Sequence, residues 1–150
     1  MNELSDEIDV QIEKLLRASL VLEHSYRMCL PYLNITSFTI EQEDAIEAFT
    51  SRFGRLADIF LQNTLKLIDE IDLETQGTVK DRINRALKKG IIEDEEQMIR
   101  IRKLRNKMSH EYILFSMEFI FSQTVNFTPQ LLKDVKNAVD YLTNSKFNLH

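Results

Sequence analysis

The sequence contains few residues that break helices or make tight turns, with three glycines and two prolines in 150 residues. An all-β domain needs many such turns, so this composition favours helices. Tryptophan is absent, and Cys29 is the one cysteine, so no disulfide can form within the chain. An unpaired cysteine suits a reducing cytoplasm. No apolar run approaches the length needed to cross a bilayer, so we expect a cytoplasmic protein without a membrane partner.

Basic residues are in the minority, and the formal net charge is −5. The first ten residues contain four carboxylates and no basic residue, which is the opposite of a secretory or transit signal. Phosphate contacts need cations, so an acidic chain is not a typical nucleic-acid binder. Between Lys80 and Lys107, however, there are ten Lys or Arg residues and five acidic ones. The sequence is compatible with a local basic surface, although a solvated helix face is the simpler interpretation.

Apolar residues recur at three- and four-residue steps through much of the chain, as in amphipathic helices. The spacing predicts a long helix over about residues 4–29, which Pro31 stops. Thr39 followed by Gln42 has the form of a capping box, so a second long helix should begin there. The core stripe of this second helix would be Ile46, Phe49, Phe53, Leu56, Phe60 and Leu67.

Start and stop signals of the same kind continue in the second half of the chain. Thr78 and Asp81 can cap a short helix that ends at Gly90, in the position where helices often take a left-handed residue. The carboxylates of Glu93 to Glu96 suit the first turn of the next helix, because they complement its dipole. The pattern therefore predicts two helices between Thr78 and the end of the basic segment.

The last helix should begin at Thr128-Pro129, because proline is favoured at the first helical position, and should run to about Ser145. Before it, three phenylalanines are more aromatic residues than a short connector needs, and they leave room for a helical dimer face: Phe115, Phe119 and Phe121. The sequence as a whole predicts one all-α domain over residues 1–150. We expect an up-and-down bundle of four to six helices.

The stretch richest in reactive groups is Arg105-Asn106-Lys107-Met108-Ser109-His110-Glu111-Tyr112. A histidine titrates near pH 6.5 and a guanidinium is a bidentate partner for oxyanions, so these groups can act on phosphates near neutral pH. An arginine and a histidine at this spacing mean little alone, but the combination with the asparagine and the tyrosine is far rarer by chance. A metal site is the least favoured interpretation, because no second ligand pair accompanies His110 and Glu111 at helical spacing.

Helical geometry limits how these groups can cooperate. Met98, Ile101, Leu104 and Met108 form the apolar stripe of the segment. His110 would project nearly opposite that stripe, whereas Arg105 falls near its edge, and the two positions diverge by roughly 140° on a straight helix. Either the helix breaks near Ser109, or the active groups come from two protomers of a two-fold dimer.

The pattern Arg105-x4-His110-x-Tyr112, with Asn106 after the arginine, resembles the signature of HepT-type toxins, which are small helical ribonucleases of the HEPN superfamily. The resemblance implies a homodimeric, metal-independent ribonuclease with a composite site at the dimer interface and no cofactor. It implies catalytic roles for Arg105 and His110 and a supporting role for Asn106. It also implies an MntA-like nucleotidyltransferase antitoxin that silences the toxin by transferring AMP onto Tyr112.

A second stretch, Phe49 to Asp58, resembles the second helix of the same family. Its polar residues Arg52, Arg55 and Asp58 match less securely, and no role is assigned to them. Asp58 lies one turn from Arg55, so the simpler interpretation is an ion pair within the helix, worth a few tenths of a kcal/mol.

The residue types suit RNA cleavage, because RNA supplies its own nucleophile, the 2′-OH. A protein needs only to move protons and stabilise the charged phosphorane, which we expect of His110 and Arg105 respectively. The substrate would be an RNA such as a tRNA or an mRNA. AMP on Tyr112 would add charge and bulk at the mouth of the site, although a half-buried tyrosine with a hydrogen-bonded hydroxyl is the simpler interpretation.

The sequence is also compatible with two other classes of protein. The domain could be a non-catalytic helical partner or substrate-binding subunit of a nucleotidyltransferase, which the acidic net charge favours. It could also be a plain helical interaction protein without a site. The motif does not distinguish a partner of a nucleotidyltransferase from a ribonuclease, because a modified Tyr112 could be regulatory in both.

Overall fold

A computed structural model describes residues 3–74, 77–110 and 116–149, with the backbone alone for His110. Its helices are α1 (Glu3–Cys29), α2 (Ile40–Asp58), α3 (Leu65–Ile71), α4 (Val79–Lys88), α5 (Glu95–His110) and α6 (Met117–Phe147). A 3-10 turn at Leu30–Tyr32 follows α1, and a π-helical segment at Ile59–Thr64 joins α2 to α3. These ranges contain no strand, and none of their helices is both long and apolar enough to cross a bilayer. The predicted all-α helical bundle is confirmed.

Local side-chain signals set several helix ends as predicted. The Thr39 hydroxyl accepts a bond from the Gln42 backbone N–H at 3.2 Å, and the Gln42 side chain accepts one from the Thr39 N–H at 2.9 Å. Thr78 and Asp81 make the same reciprocal pair at the start of α4. Gly90 follows α4 with a φ of +77°, a left-handed conformation that costs glycine little. These ends depend on residues close in sequence, so the sequence predicts them well.

The core is one cluster of apolar side chains to which all six α-helices contribute. All six apolar residues predicted for the second helix are buried in it, five of them in α2 and the π-helical segment and Leu67 in α3. Phe49 meets Phe121 of α6 edge to face, with 6.0 Å between the ring centroids. Helix α2 therefore lies at the centre of the bundle. It contacts α1, α5 and α6, and the contact with α5 is the one that builds the candidate site.

The predicted helix start at Thr128-Pro129 is wrong, because α6 begins at Met117 and continues through Pro129. Residues on both sides of the proline share one buried stripe: Phe121, Thr124, Val125, Leu131, Val135 and Leu142. Burial of this stripe outweighs the backbone hydrogen bond that a proline inside a helix loses. The Thr128 hydroxyl donates to the Thr124 carbonyl at 2.6 Å, so it serves the helix interior and does not cap an end.

The basic face of α4 is partly used in packing. Arg85 is paired with Asp69 of α3 at 2.7 Å, and Lys89 with Asp72 at 2.7 Å. The Tyr141 hydroxyl of α6 donates to the same Asp72 carboxylate at 2.6 Å. This network ties α4 to α3 and α6. Arg85 and Lys89 are therefore paired, whereas Lys80 and Lys88 are exposed as a solvated face predicts.

Candidate functional site

Arg105 is held by a carboxylate from α2. Its Nε donates to Asp58 Oδ1 at 2.9 Å and its Nη2 donates to Asp58 Oδ2 at 2.7 Å, which is the bidentate arrangement that fixes the plane of a guanidinium. Its Nη1 donates to the Ser109 hydroxyl at 2.6 Å. Ser109 lies one turn further along α5, so three hydrogen bonds from two helices set the orientation of Arg105.

A glycine makes room for this arginine. A Cβ built at Gly54 of α2 would lie 3.1 Å from Cδ and 3.2 Å from Nε of Arg105. Glycine inside a helix costs about 1 kcal/mol relative to alanine, and here it lets the arginine side chain lie directly against α2. The position of Arg105 therefore depends on two residues of α2, Gly54 and Asp58, one helical turn apart.

Part of the guanidinium remains available to a ligand. The bonds to Asp58 and Ser109 use three of its five N–H groups, and the other two have no acceptor among the residues that the structure describes. The Arg105 side chain is 28% exposed. Hydrogen bonding to Asp58 raises the pKa of Arg105 above its usual value, so the group is a cation at any working pH. The two remaining N–H groups of Arg105 can donate to an oxyanion, although the Asp58 carboxylate reduces the local positive charge.

Asp58 is the site residue that the sequence did not reveal. The expected ion pair with Arg55 is replaced by the pair with Arg105, which lies 47 positions away. No local signal predicts such a partner, because the sequence around Asp58 does not tell whether its carboxylate pairs with Arg55 or with Arg105. Arg55 is exposed instead, and Arg52 donates from Nη1 to the Ser25 hydroxyl of α1 at 2.7 Å.

The other residues of the motif are placed less completely. Asn106 is exposed on α5. Of the predicted stripe, Met98, Ile101 and Leu104 are buried and Met108 is partly buried. The backbone is helical from Glu95 to His110, so Arg105 and His110 lie on one helical segment. The His110 side chain and the whole of Tyr112 lie outside the described residues.

The three phenylalanines proposed for a dimer face have different environments. Phe121 is 2% exposed in the core, which removes it from any surface. Phe119 is 41% exposed, and the Lys107 ammonium lies 6.0 Å from its ring centroid. Phe115 lies outside the described residues. The predicted aromatic dimer face is therefore reduced to Phe119 within the described chain.

Two further features bear on the chemistry. The π-helical segment Ile59–Thr64 starts directly after Asp58, and such segments frequently occur at functional sites. It is supported from α1, because Gln11 donates to the Thr64 hydroxyl at 2.9 Å in the interior. Over the described ranges, no group of three or more His, Cys, Asp or Glu residues could hold a metal ion.

The chain is an all-α bundle in which Arg105 of α5 is held by the carboxylate of Asp58, the last residue of α2. Comparisons with protein-family models, with curated proteins and with solved structures give no match.

Proposed function

We propose that the protein is a metal-independent ribonuclease and the toxin of a toxin–antitoxin pair. The observation that carries the proposal is the fixed orientation of Arg105, whose guanidinium keeps two N–H groups directed away from Asp58 and Ser109. A preoriented cation stabilises a developing phosphorane better than a mobile one, because no reorganisation is needed during the reaction. The motif resemblance, from Arg105 to Tyr112, is the second support.

The reaction needs only proton transfers and charge stabilisation. One His110 imidazole removes the proton of the 2′-OH, whose oxygen then bonds to phosphorus. The bond from phosphorus to the 5′-oxygen breaks, and that oxygen takes the proton back from the His110 imidazolium formed in the first step. Arg105 binds the equatorial oxygens while the charge is highest, with Asn106 supporting the site. The products are a 2′,3′-cyclic phosphate and a 5′-hydroxyl.

The site is proposed to form between two copies of the chain. Positions 105 and 110 are about 140° apart around an intact helix, so one α5 does not direct both groups at one phosphate. The helical backbone through His110 supports this argument. In a two-fold dimer, Arg105 of one protomer meets His110 of the other, and each dimer holds two such sites.

Silencing is proposed to occur at Tyr112. A phenol with a pKa near 10 is a weak base but a usable acceptor once a nucleotidyltransferase activates it. AMP there adds a phosphodiester charge beside the site and repels RNA. The proposed partner is an MntA-like antitoxin in the cytoplasm, and an intact mass heavier by one or more AMP units after co-expression would identify the modified state.

Cleavage of total RNA or tRNA in the presence of EDTA tests the activity. We expect cleavage by the unmodified protein and a loss of at least about 100-fold in His110→Ala and in Arg105→Ala. Arg100→Ala is the matched control, because Arg100 lies on the same helix in an exposed pair with Glu96 at 2.8 Å. Unchanged cleavage in His110→Ala would refute the proposed mechanism.

A second candidate function is a non-catalytic partner or substrate-binding subunit of a nucleotidyltransferase. The observation that favours it is the Asp58 carboxylate, which partly neutralises Arg105. This candidate predicts a stable complex with a nucleotidyltransferase, no RNA cleavage by the unmodified chain and no toxicity on expression. The cleavage assay above separates it from the ribonuclease.

A further inference from the structure

A groove runs between α1 and α2, and its lining on α2 extends from Ala48 to Ile59, the residue that follows Asp58. It encloses about 800 Å³ and extends along α1 from Val10 to Val21. At 1.5 Å per residue this is roughly 16 Å, the length of about five stacked nucleotides at 3.4 Å each. We call it the α1–α2 groove.

The α1–α2 groove is basic although the chain is acidic. Its lining includes Lys14, Arg17, Arg52 and Arg55, against the single carboxylate of Glu13. No ion pair neutralises any of these four cations within the described part of the chain, whereas Arg85, Lys89 and Arg105 elsewhere are paired. Three of the four are arginines, whose planar fork suits phosphate oxygens. The charge of the groove therefore selects an anionic occupant.

The groove is adjacent to the Arg105 site. At 100° per residue, Ile59, which lines the groove, lies about 40° to one side of Arg55, and Asp58 lies about 60° to the other. Exposed Arg55 therefore stands on the ridge between the groove and the guanidinium of Arg105. A polyanionic strand that follows the groove past Arg55 is therefore directed towards Arg105.

We propose that the α1–α2 groove is a phosphodiester-binding track that leads an RNA strand to Arg105. The proposal rests on the proposed ribonuclease function and names the substrate-binding surface of that site. The apolar floor includes Val10, Val21 and Ile59, and none of the described residues that line the groove is aromatic. Bases therefore find no stacking platform there, and the track holds the backbone without strong base preference.

The test measures binding of RNA that cannot be cleaved. Fluorescence anisotropy follows a labelled 2′-O-methyl oligouridylate of twelve nucleotides, which lacks the nucleophile, against the full wild-type chain at 0.1 M salt. Arg17→Glu combined with Arg55→Glu should weaken binding at least tenfold. The charge-matched control is Lys80→Glu with Lys88→Glu on α4, whose side chains are exposed, and it should change binding less than threefold.

Two further measurements sharpen the assignment. The logarithmic salt dependence of binding should fall by about 1.4 in the groove variant, because each phosphate contact contributes about 0.7 for a single strand. Oligoadenylate of the same length should bind within about threefold of oligouridylate. If the charge-reversed variant loses its helical circular dichroism, Arg17→Gln with Arg55→Gln is judged by the same criteria.

Three outcomes would contradict the proposed track. RNA binding could weaken equally in the groove and control variants, it could stay unchanged in the groove variant, or the wild type could fail to bind RNA. Competition by polyglutamate as strong as that by RNA would assign the groove to an acidic protein instead. Failure of the track is distinct from failure of the ribonuclease, because binding is measured without cleavage. A chain that binds through the groove but never cleaves keeps the track and loses the proposed activity.

Discussion

Asp58 acts on Arg105 through two hydrogen bonds of 2.9 and 2.7 Å, and that is its proposed role in the reaction. It orients the cation and does not itself touch the phosphate. Both side chains are partly exposed, at 28% and 46%, so the pair contributes only about 1 kcal/mol to stability. The main effect of the pair is therefore to orient Arg105. Loss of the pair should change the rate of RNA cleavage more than the free energy of unfolding.

Replacing Asp58 by asparagine should separate positioning from binding. We expect kcat for RNA cleavage to fall about tenfold, because a misplaced catalytic group loses alignment, while uncleavable RNA binds at least as tightly because a carboxylate is gone. Single-turnover cleavage and anisotropy give the two quantities. Asp44→Asn, an exposed isosteric change on the same helix, should alter neither. An unchanged kcat in the Asp58 variant would mean that Arg105 is oriented without it.

Asp134 is a different kind of acidic residue, with no exposed surface at all. Its Oδ1 accepts from the Gln130 amide at 2.9 Å, and among the described residues Oδ2 has no hydrogen-bond partner of good geometry. Burial raises the pKa of Asp134 to about 6. The folded state therefore prefers the neutral acid, and charging it at neutral pH works against stability.

The pH dependence follows from the sign of that shift. Below about pH 4 the acid is neutral in both folded and unfolded chains, and its full stabilising contribution is present. As pH rises through about 6 the folded state also ionises, and roughly 2 to 3 kcal/mol is lost. Asp134→Asn does not titrate, so its melting temperature should rise relative to wild type between pH 4 and pH 7. Asp140→Asn is the charge-matched control on the same helix, and parallel curves for Asp134→Asn and wild type would contradict the assignment.

At the scale of elements, α6 shows how packing decides a helix. Pro129 is exposed and lies inside the helix, where it removes a backbone donor and restrains the preceding residue. The buried stripe on both sides keeps the helix continuous. The proline therefore costs stability that burial elsewhere in the bundle offsets.

Pro129→Ala should restore the missing backbone hydrogen bond and stabilise the protein. Relative to alanine, proline inside a helix costs about 3 kcal/mol, of which we expect at least about 1 to be recovered. For a chain of this size that corresponds to a rise of roughly 2–4 °C or more in melting temperature. Asn126→Ala, an exposed neighbour on the same helix, controls for helix propensity alone and should give a smaller rise. A lower melting temperature in Pro129→Ala would show that the proline shape is itself needed for packing.

For the whole molecule, the central question is whether two chains share one site. If Arg105 of one protomer works with His110 of another, a dimer of Arg105→Ala with His110→Ala contains one complete site and one that lacks both groups. Random mixing makes half of the dimers mixed. Cleavage should then recover to about a quarter of wild type.

The experiment mixes the two inactive variants under conditions that exchange subunits and follows RNA cleavage over time. Each variant alone should be inactive, and sedimentation should show dimers throughout. Mixing Arg105→Ala with the double variant that lacks both groups is the control, and it should restore nothing. No recovery in the complementary mixture, with exchange demonstrated, would contradict a site shared in this way.

The sequence by itself determined the helical class, the ends marked by Thr39, Thr78 and Gly90, and the buried stripes of α2 and α5. These features depend on residues three or four positions apart, so their physics is readable along the chain. The motif at Arg105 was also visible in the sequence as a set of residue types. Its proposed chemistry follows from those types and from the family resemblance.

Only the tertiary structure decided which groups meet. Asp58 reaches Arg105 across 47 positions, Gly54 makes room for its side chain, and Arg55 is left exposed beside a basic groove. The continuity of α6 through Pro129 was likewise decided by burial on both sides of a local helix-start signal. Contacts between distant residues depend on how whole helix faces pack, and a single sequence carries no local sign of that packing.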